Sequence, residues 1–212
     1  MGVMKSKKAA RRLGFGLVVL ALAAAFAKTQ YATFEVVGDT AYMSGELGAP
    51  TPRAVKKLFR QHPDLATIVM NNVPGSEDDD KNIKASLRVF EQQLTTYVPA
   101  DGVIASGGVD FFLAGKNRIV EEGACVGVHA WQDDNDRRAS SELPRDHQGH
   151  KVFLDYFRAI GMNEAFYWFT LEAAPFDGMY WMSTDELLEF GVVTEVIQPE
   201  GGAQFQLICD HR

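Results

Sequence analysis

Short apolar runs alternate with a helix-like segment in the middle of the chain, and this alternation limits the fold more than any other feature. Leu65 to Met70 and Gly102 to Ala105 have strand length, and between them apolar residues recur at helical spacing, at Ile83, Leu87, Phe90 and Leu94. A buried strand, a helix and a second buried strand form a βαβ unit, which places both strands parallel in one sheet. The sequence therefore predicts an α/β protein.

Flanking segments extend this pattern without a break. Thr33 to Ser44 predicts two short strands around a tight turn at Gly38-Asp39. Arg118 to Val120 and Cys125 to Val128 predict two further strands, and Ser183 to Glu186 predicts a capping box at the start of a late helix. No repeat or low-complexity linker interrupts the chain, so a single domain is expected over residues 31–212.

The first 27 residues have the order of an export signal. Five cations come first, and an uncharged apolar run from Leu13 to Ala27 follows them. The run has 15 residues, fewer than the roughly 20 that cross a bilayer as a helix. Ala25-Phe26-Ala27 has the small-x-small pattern of a signal-peptidase site, so residues 1–27 are predicted to be a signal peptide, with an uncleaved membrane anchor as the alternative.

Charge and cysteine content fit an exported protein. Loss of residues 1–27 leaves 16 Lys and Arg against 28 Asp and Glu, a net charge of −12, which disfavours nucleic acid and anionic lipid as partners. We expect the protein in the periplasm, tethered to the inner membrane through residues 13–27 if the signal is retained. In that oxidising compartment Cys125 and Cys209 either form a disulfide or leave Cys125 as a buried thiol.

A serine and a histidine stand at the ends of two predicted strands. Ser106 lies in Ile-Ala-Ser-Gly-Gly between a strand and a short helix, where a helix N-terminus can aim its amides at a developing oxyanion. His129 ends a strand 23 residues later and could activate the serine hydroxyl as a base. Each residue alone has a common structural interpretation, as a turn serine or a hydrogen-bonded histidine.

Together with their neighbours, these two residues resemble the core of the Clp protease proteolytic subunit family. The resemblance rests on Ala105 to Gly115 (ASGGVDFFLAG), on Arg118, and on Gly-Val-His129; the capped helix before Gly191-Val-Val193 is similar as well. It covers most of residues 65 to 195 and is strongest toward exported Clp-like bacterial proteins. It implies a ClpP/crotonase-like spiral ββα fold.

The resemblance also implies roles for individual residues. Ser106 would be the nucleophile and His129 the general base, and the amide of Gly107 together with that of Gly75 or Ser76 would hold the oxyanion. Two positions depart from the family. Ser76 stands where the family has a second glycine. The family's catalytic aspartate aligns with Met179, so Asp177 is the nearest substitute, with a turn residue as its alternative role.

Two further clusters have structural alternatives. Asp146-His147-x-x-His150 has helical spacing that suits metal ligands, but it also fits a solvated helix start. The acidic run Glu77 to Asp80 could hold a cation, yet acids before a helix already have a reason in the helix dipole. We therefore expect no metal and no cofactor.

These implications define three candidate functions. The first is an exported serine hydrolase, a peptidase or an enzyme acting on a small ester or amide. The second is a non-catalytic binding or assembly protein of the cell envelope that keeps the fold. The third is an acyl-CoA enzyme of the crotonase type, which uses oxyanion amides without a serine nucleophile. A homo-oligomer is expected because Clp-like and crotonase-like domains assemble into rings or trimers.

Overall fold

A β-hairpin opens the part of the chain that the structure describes, which is residues 31–133, 137–199 and 209 of a computed structural model. Strands β1 (Thr33–Val37) and β2 (Thr40–Ser44) pair antiparallel, and Gly38 turns between them with φ +63°. The predicted hairpin is therefore confirmed. The predicted signal segment, residues 1–27, lies outside the described residues.

Strand β3 (Thr67–Val73) is the branch point of a nine-stranded sheet. Most of its length pairs with β2, its first half pairs with β4 (Thr95–Val98), and its last two residues pair with β5 (Val103–Ala105). The two arms then continue as β4-β6-β9 and β5-β7-β8. The outer strands are β6 (Asn117–Glu121), β7 (Cys125–Val128), β8 (Tyr180–Trp181) and β9 (Glu195–Ile197).

Six α-helices of the described chain cover this curled sheet. They are α1 (Thr51–Gln61), α2 (Asp79–Gln92), α3 (Gly107–Leu113), α4 (Gln148–Ile160), α5 (Glu164–Ala173) and α6 (Thr184–Glu189). Ser183 and Glu186 form the predicted capping box of α6. Thr51 is the first residue of α1, where its hydroxyl accepts a hydrogen bond from the Gly48 amide, and Pro50 precedes the helix.

Arg118 joins β6 to the segment that follows α6. Its guanidinium donates to the backbone carbonyls of Gly115, Gly191 and Val192 at 2.8–3.0 Å. Three donors of one planar group thus hold β6 against the end of α6. The arginine of the family-like motif is a structural residue here.

Cys125 at the start of β7 is joined to Cys209 by a disulfide. This bond closes a loop of 84 residues in sequence and excludes the alternative of a free buried Cys125. The described residues from Tyr31 onward cluster as one compact unit. No helix within the described residues is both long and apolar enough to cross a bilayer.

Candidate active site

Ser106 occupies a strained turn between β5 and α3. Its backbone has φ 52° and ψ −128°, a region that costs a non-glycine residue about 1–3 kcal/mol. The Ser106 amide donates to the Gly127 carbonyl at 2.9 Å, and the Ser106 carbonyl accepts from the Val109 amide at 2.8 Å. The side chain makes no capping hydrogen bond to α3. The Ser106 hydroxyl is therefore not used to cap the helix that follows it.

His129 reaches the same edge of the sheet because β5 and β7 are parallel neighbours. Ala105 pairs with Gly127 in register, so Ser106 and His129 both follow the carboxyl ends of adjacent strands. Side chains at this edge of a parallel sheet commonly form ligand and catalytic sites. The structure brings the two predicted residues into one cavity.

The predicted oxyanion residues lie around Ser106. Gly75 follows β3 with φ +156°, and a Cβ placed on it would lie 3.3 Å from Ser106 Cβ. A Cβ placed on Gly107 would collide with Ser76 Oγ and lie 2.9 Å from Asn82 Nδ2. Gly107 is the first residue of α3, so its amide has no carbonyl partner within the helix. The backbone thus approaches Ser106 closely from both turns.

Asn82 holds the glycine turn in place, a role that the sequence analysis did not assign. Its Nδ2 donates to the Gly107 carbonyl at 2.7 Å, and the residue is fully buried. Ser76 Oγ, which also lies close to Gly107, donates to Asp79. A signal existed in the sequence: Asn82 and Ser86 are polar residues one turn apart on the face of α2 that also buries Ile83 and Val89.

Both polar and apolar residues line the cavity. Polar groups come from Asp79, Ser106, the Gly107 backbone, Asp110, His129 and Thr170. The apolar and aromatic lining residues are Val109, Val128, Trp131, Phe153, Phe166 and Tyr167. A volume of about 40 Å³ leaves room beside Ser106 for a few water-sized groups.

The environment of His129 shifts the pKa of its ring. Burial lowers its pKa below the usual value near 6.5, while the carbonyls of Phe176 and Ala130 and the charge of Asp79 act in the opposite direction. Within the described residues its Nδ1 is buried and lacks a hydrogen bond of good geometry.

Asp177 is not brought into the cavity. Its side chain is exposed, in the loop that the Ala130 amide anchors through a 2.9 Å hydrogen bond to the Ala174 carbonyl. A turn from Pro175 to Gly178 closes this loop, again by a 2.9 Å hydrogen bond. The loop acts on His129 through the Phe176 carbonyl instead of a carboxylate.

Asp110 is a second carboxyl in the cavity that the sequence analysis did not single out. It follows Gly107 by three residues on α3, and no hydrogen bond is made to its carboxyl by another described residue. Burial and the nearby charge of Asp79 raise the pKa of Asp110 well above its usual range.

The histidines near α4 have structural roles. His147 caps α4 by accepting from the Gly149 amide, which is the helix-start interpretation. His150 is buried, and its Nδ1 lies 2.7 Å from the Tyr167 hydroxyl, which also accepts from Trp131 Nε1 at 3.0 Å. No group of three or more potential metal ligands occurs in the described part of the chain.

Solved structures resemble this protein, although neither family models nor curated proteins match its sequence. No protein-family model matches the sequence. No curated protein matches it either. Among solved structures, Pseudomonas aeruginosa DspI is 15% identical with a TM-score of 0.51, over 84% of this chain and 78% of that chain. An enoyl-CoA hydratase/isomerase family member is 16% identical with a TM-score of 0.51, over 82% and 71%.

A ClpP1 mutant from Listeria monocytogenes is similar as well, 19% identical with a TM-score of 0.49, over 77% of this chain and 94% of that chain. Helices pack around the branched sheet, and β3 and β5 end just before the turns that contain Gly75 and Gly107. The likeness to the enoyl-CoA hydratase/isomerase family member shows that the described domain has the spiral α/β fold of that structure.

Proposed function

We propose that this protein is a serine hydrolase in which Ser106 attacks an amide or ester carbonyl. The observation that carries the proposal is the shared cavity of Ser106, His129 and the glycine turn at Gly107. His129 Nε2 takes the proton from the Ser106 hydroxyl as the Oγ–carbon bond forms. The amides of Gly107 and of Gly75 or Ser76 stabilise the oxyanion. The intermediate then collapses as the carbon–nitrogen or carbon–oxygen bond breaks and the amine or alcohol leaves with the proton from His129, and water, deprotonated by His129, hydrolyses the remaining acyl-Ser106 ester.

A peptidase is the favoured form of this activity. Trp131, Phe153 and Phe166 line the same cavity as Ser106, and such aromatic residues suit a small apolar group of a substrate. Exposed apolar side chains such as Tyr42, Phe176 and Leu188 provide surface for subunit contacts, so a homo-oligomer is part of the proposal. Light scattering of the purified protein tests this part, and a monomer at micromolar concentration contradicts it.

Export to the periplasm is a further part of the proposal. It is supported by the basic and apolar order of residues 1–27 and by the disulfide between Cys125 and Cys209, since disulfides persist in oxidising compartments. Tethering through residues 13–27 is the alternative to cleavage before Lys28. Fractionation of cells followed by N-terminal sequencing distinguishes a cleaved, a tethered and a cytoplasmic protein.

The experiment for the hydrolase is labelling with a fluorophosphonate, which bonds to an activated serine. The unmodified protein is expected to label, while Ser106→Ala removes the acceptor and His129→Ala removes the base. Circular dichroism of each variant controls for folding. Equal labelling of all three proteins contradicts the assignment.

Asp110 favours a second candidate, an acyl-CoA enzyme. Burial raises the pKa of the Asp110 carboxyl, which lines the same cavity as Gly107, and a carboxyl with a raised pKa can act as a proton donor without a serine nucleophile. The net charge of −12 after loss of residues 1–27 opposes this candidate, because CoA carries several phosphate charges. Retention on a CoA affinity matrix, with no fluorophosphonate labelling, would favour it.

A non-catalytic envelope protein is the third candidate, and the exposure of Asp177 favours it. It predicts an inert Ser106 together with a stable complex recovered from envelope extracts. Labelling of Ser106 contradicts it directly.

A further inference from the structure

Asp79 is the one member of the acidic run at residues 77–80 that lines the cavity of Ser106 and His129. Its neighbours have other contacts. Glu77 accepts a hydrogen bond from the Tyr31 hydroxyl, and Asp78 caps α2 by accepting from the Lys81 amide at 3.0 Å. Asp80 is exposed. The favourable dipole of the α2 N-terminus explains acids at this position in general, but it does not explain why one of them faces the cavity.

Ser76 directs the Asp79 carboxylate toward the glycine turn. The Ser76 hydroxyl donates to Asp79 Oδ1, and the same hydroxyl lies against Gly107, where a Cβ would collide with it. In the family that the sequence resembles, this position is a glycine, which has no hydroxyl to donate. The departure at Ser76 and the inward carboxylate at Asp79 are therefore two parts of one arrangement.

His129 otherwise lacks a carboxylate partner among the described residues. The loop that carries Asp177 offers it only a backbone carbonyl, and that side chain is exposed. From α3, Asp110 lines the cavity, and burial raises the pKa of its carboxyl, but its charge is not among those that act on His129. From α5, the Tyr167 hydroxyl is neutral, because burial raises its pKa far above the working range of a histidine. A histidine that becomes an imidazolium during catalysis needs a nearby negative charge to stabilise it.

We propose that Asp79, held by Ser76, is the positioning residue that supplies the negative charge of this site and stabilises the His129 imidazolium. The inference rests on the proposed hydrolase function. When the Ser106 proton moves to His129 Nε2, the positive charge forms in the cavity that Asp79 lines. The acid of the site thus comes from the start of α2, upstream of the serine, and not from the loop downstream of the histidine. The Asp79 charge also raises the pKa of His129 against the larger effect of burial.

The test measures His129 directly. The ring protons of His129 are titrated by NMR in the Ser106→Ala protein, with the resonance assigned by its loss in Ser106→Ala/His129→Asn. Asp79→Asn is expected to lower the titration midpoint by about one pH unit, the equivalent of a tenfold loss of imidazolium stabilisation. Asp80→Asn is the matched control, because it makes the same change in charge one residue along the helix on an exposed side chain, and it is expected to leave the midpoint in place.

A second readout follows the chemistry. In the Ser106 protein, Asp79→Asn is expected to slow fluorophosphonate labelling about tenfold and to move its acid limb to lower pH, and Asp79→Glu should restore part of the rate. If Asp79→Asn does not fold, Ser76→Ala replaces it and should produce a smaller change in the same direction. An unchanged midpoint, or equal changes for Asp79→Asn and Asp80→Asn, overturns the inference. The titration needs no activity. If Asp79→Asn lowers the His129 midpoint as expected but no protein is labelled, the hydrolase is refuted and the pairing of Asp79 with His129 is not.

Discussion

Gly75 lies so close to Ser106 that a methyl group added to it would be 3.3 Å from Ser106 Cβ and 3.7 Å from Ser106 Oγ. Gly75→Ala is therefore expected to displace the serine and the oxyanion amides next to it. Loss of one oxyanion donor costs about 100-fold or more in rate, so labelling should fall by at least about tenfold. Stopped-flow or gel-based labelling kinetics measure this change.

The matched control for this variant is Gly161→Ala. Gly161 also has a positive φ, +75°, but it lies at the end of α4, where an added Cβ would have no atom within 4 Å. Both variants should lose about 1–3 kcal/mol of unfolding free energy to backbone strain. Only Gly75→Ala should lose labelling; an equal loss in Gly161→Ala would show that general destabilisation is the cause.

The acid limb of the labelling rate should report the neutral form of His129. Burial lowers the pKa of His129, so the base is already neutral at pH 7, and the rate should decline only when the pH falls below about 6.5. Labelling rates between about pH 4.5 and 8, with the reagent's own hydrolysis subtracted, test this. A rate that still rises steeply above pH 7 contradicts a buried neutral histidine.

The same shift has a consequence for stability. The pKa values of His129 and His150 are both lowered by burial, so the unfolded chain binds more protons than the native chain as the pH falls. Stability is complete above the unfolded value near 6.5 and declines as the pH falls through the folded values. Urea denaturation at pH 7.5 and pH 5.5 should therefore give a lower unfolding free energy at pH 5.5, and His150→Phe should reduce the difference.

Arg118 should matter for stability and not for chemistry. Arg118→Ala removes three hydrogen bonds to backbone carbonyls, and an unfolding loss of about 2–4 kcal/mol is expected because those acceptors lose a charged donor. Arg118→Lys should restore only part of the lost unfolding free energy, because an ammonium group cannot reproduce the three donor directions of the planar guanidinium. Denaturation curves measure the effect, and a loss below about 0.5 kcal/mol for Arg118→Ala would contradict it.

The disulfide should stabilise the domain by restricting its unfolded chain. Closure of the 84-residue loop between Cys125 and Cys209 accounts for about 4.6 kcal/mol in the chain-entropy model. Cys125→Ser/Cys209→Ser should lower the unfolding free energy accordingly, and the oxidised protein should have no thiol that reacts with Ellman's reagent. Two reactive thiols in the protein purified from the periplasm would contradict the bond.

Sequence patterns predicted the fold where a local signal was present. The hairpin at Gly38 and the capping box at Ser183 are predictable because their residues are typical of a turn and of a helix start. Strand β4 was missed because Leu94 continues the helical spacing, and because α2 ends at Gln93 in a left-handed conformation, φ 57°, that glycine usually marks.

The site was predictable only in part, for a related reason. The strand ends that carry Ser106 and His129 have recognisable neighbours in sequence. The inward side chain of Asp79 and the hydrogen bond from Asn82 to Gly107 depend on how α2 packs over the glycine turn. The sequence predicts that the Asp177 loop presents a carboxylate to His129. In the structure this loop presents the carbonyl of Phe176 instead. A backbone carbonyl has no sequence signature.

The most direct measurement is the location of the fluorophosphonate adduct by peptide mass spectrometry at pH 7.5. The account predicts one adduct per chain, on the peptide that contains Ser106, and its absence in His129→Ala. An adduct on another serine, or none at all in the folded protein, would contradict the assignment of Ser106 as the nucleophile.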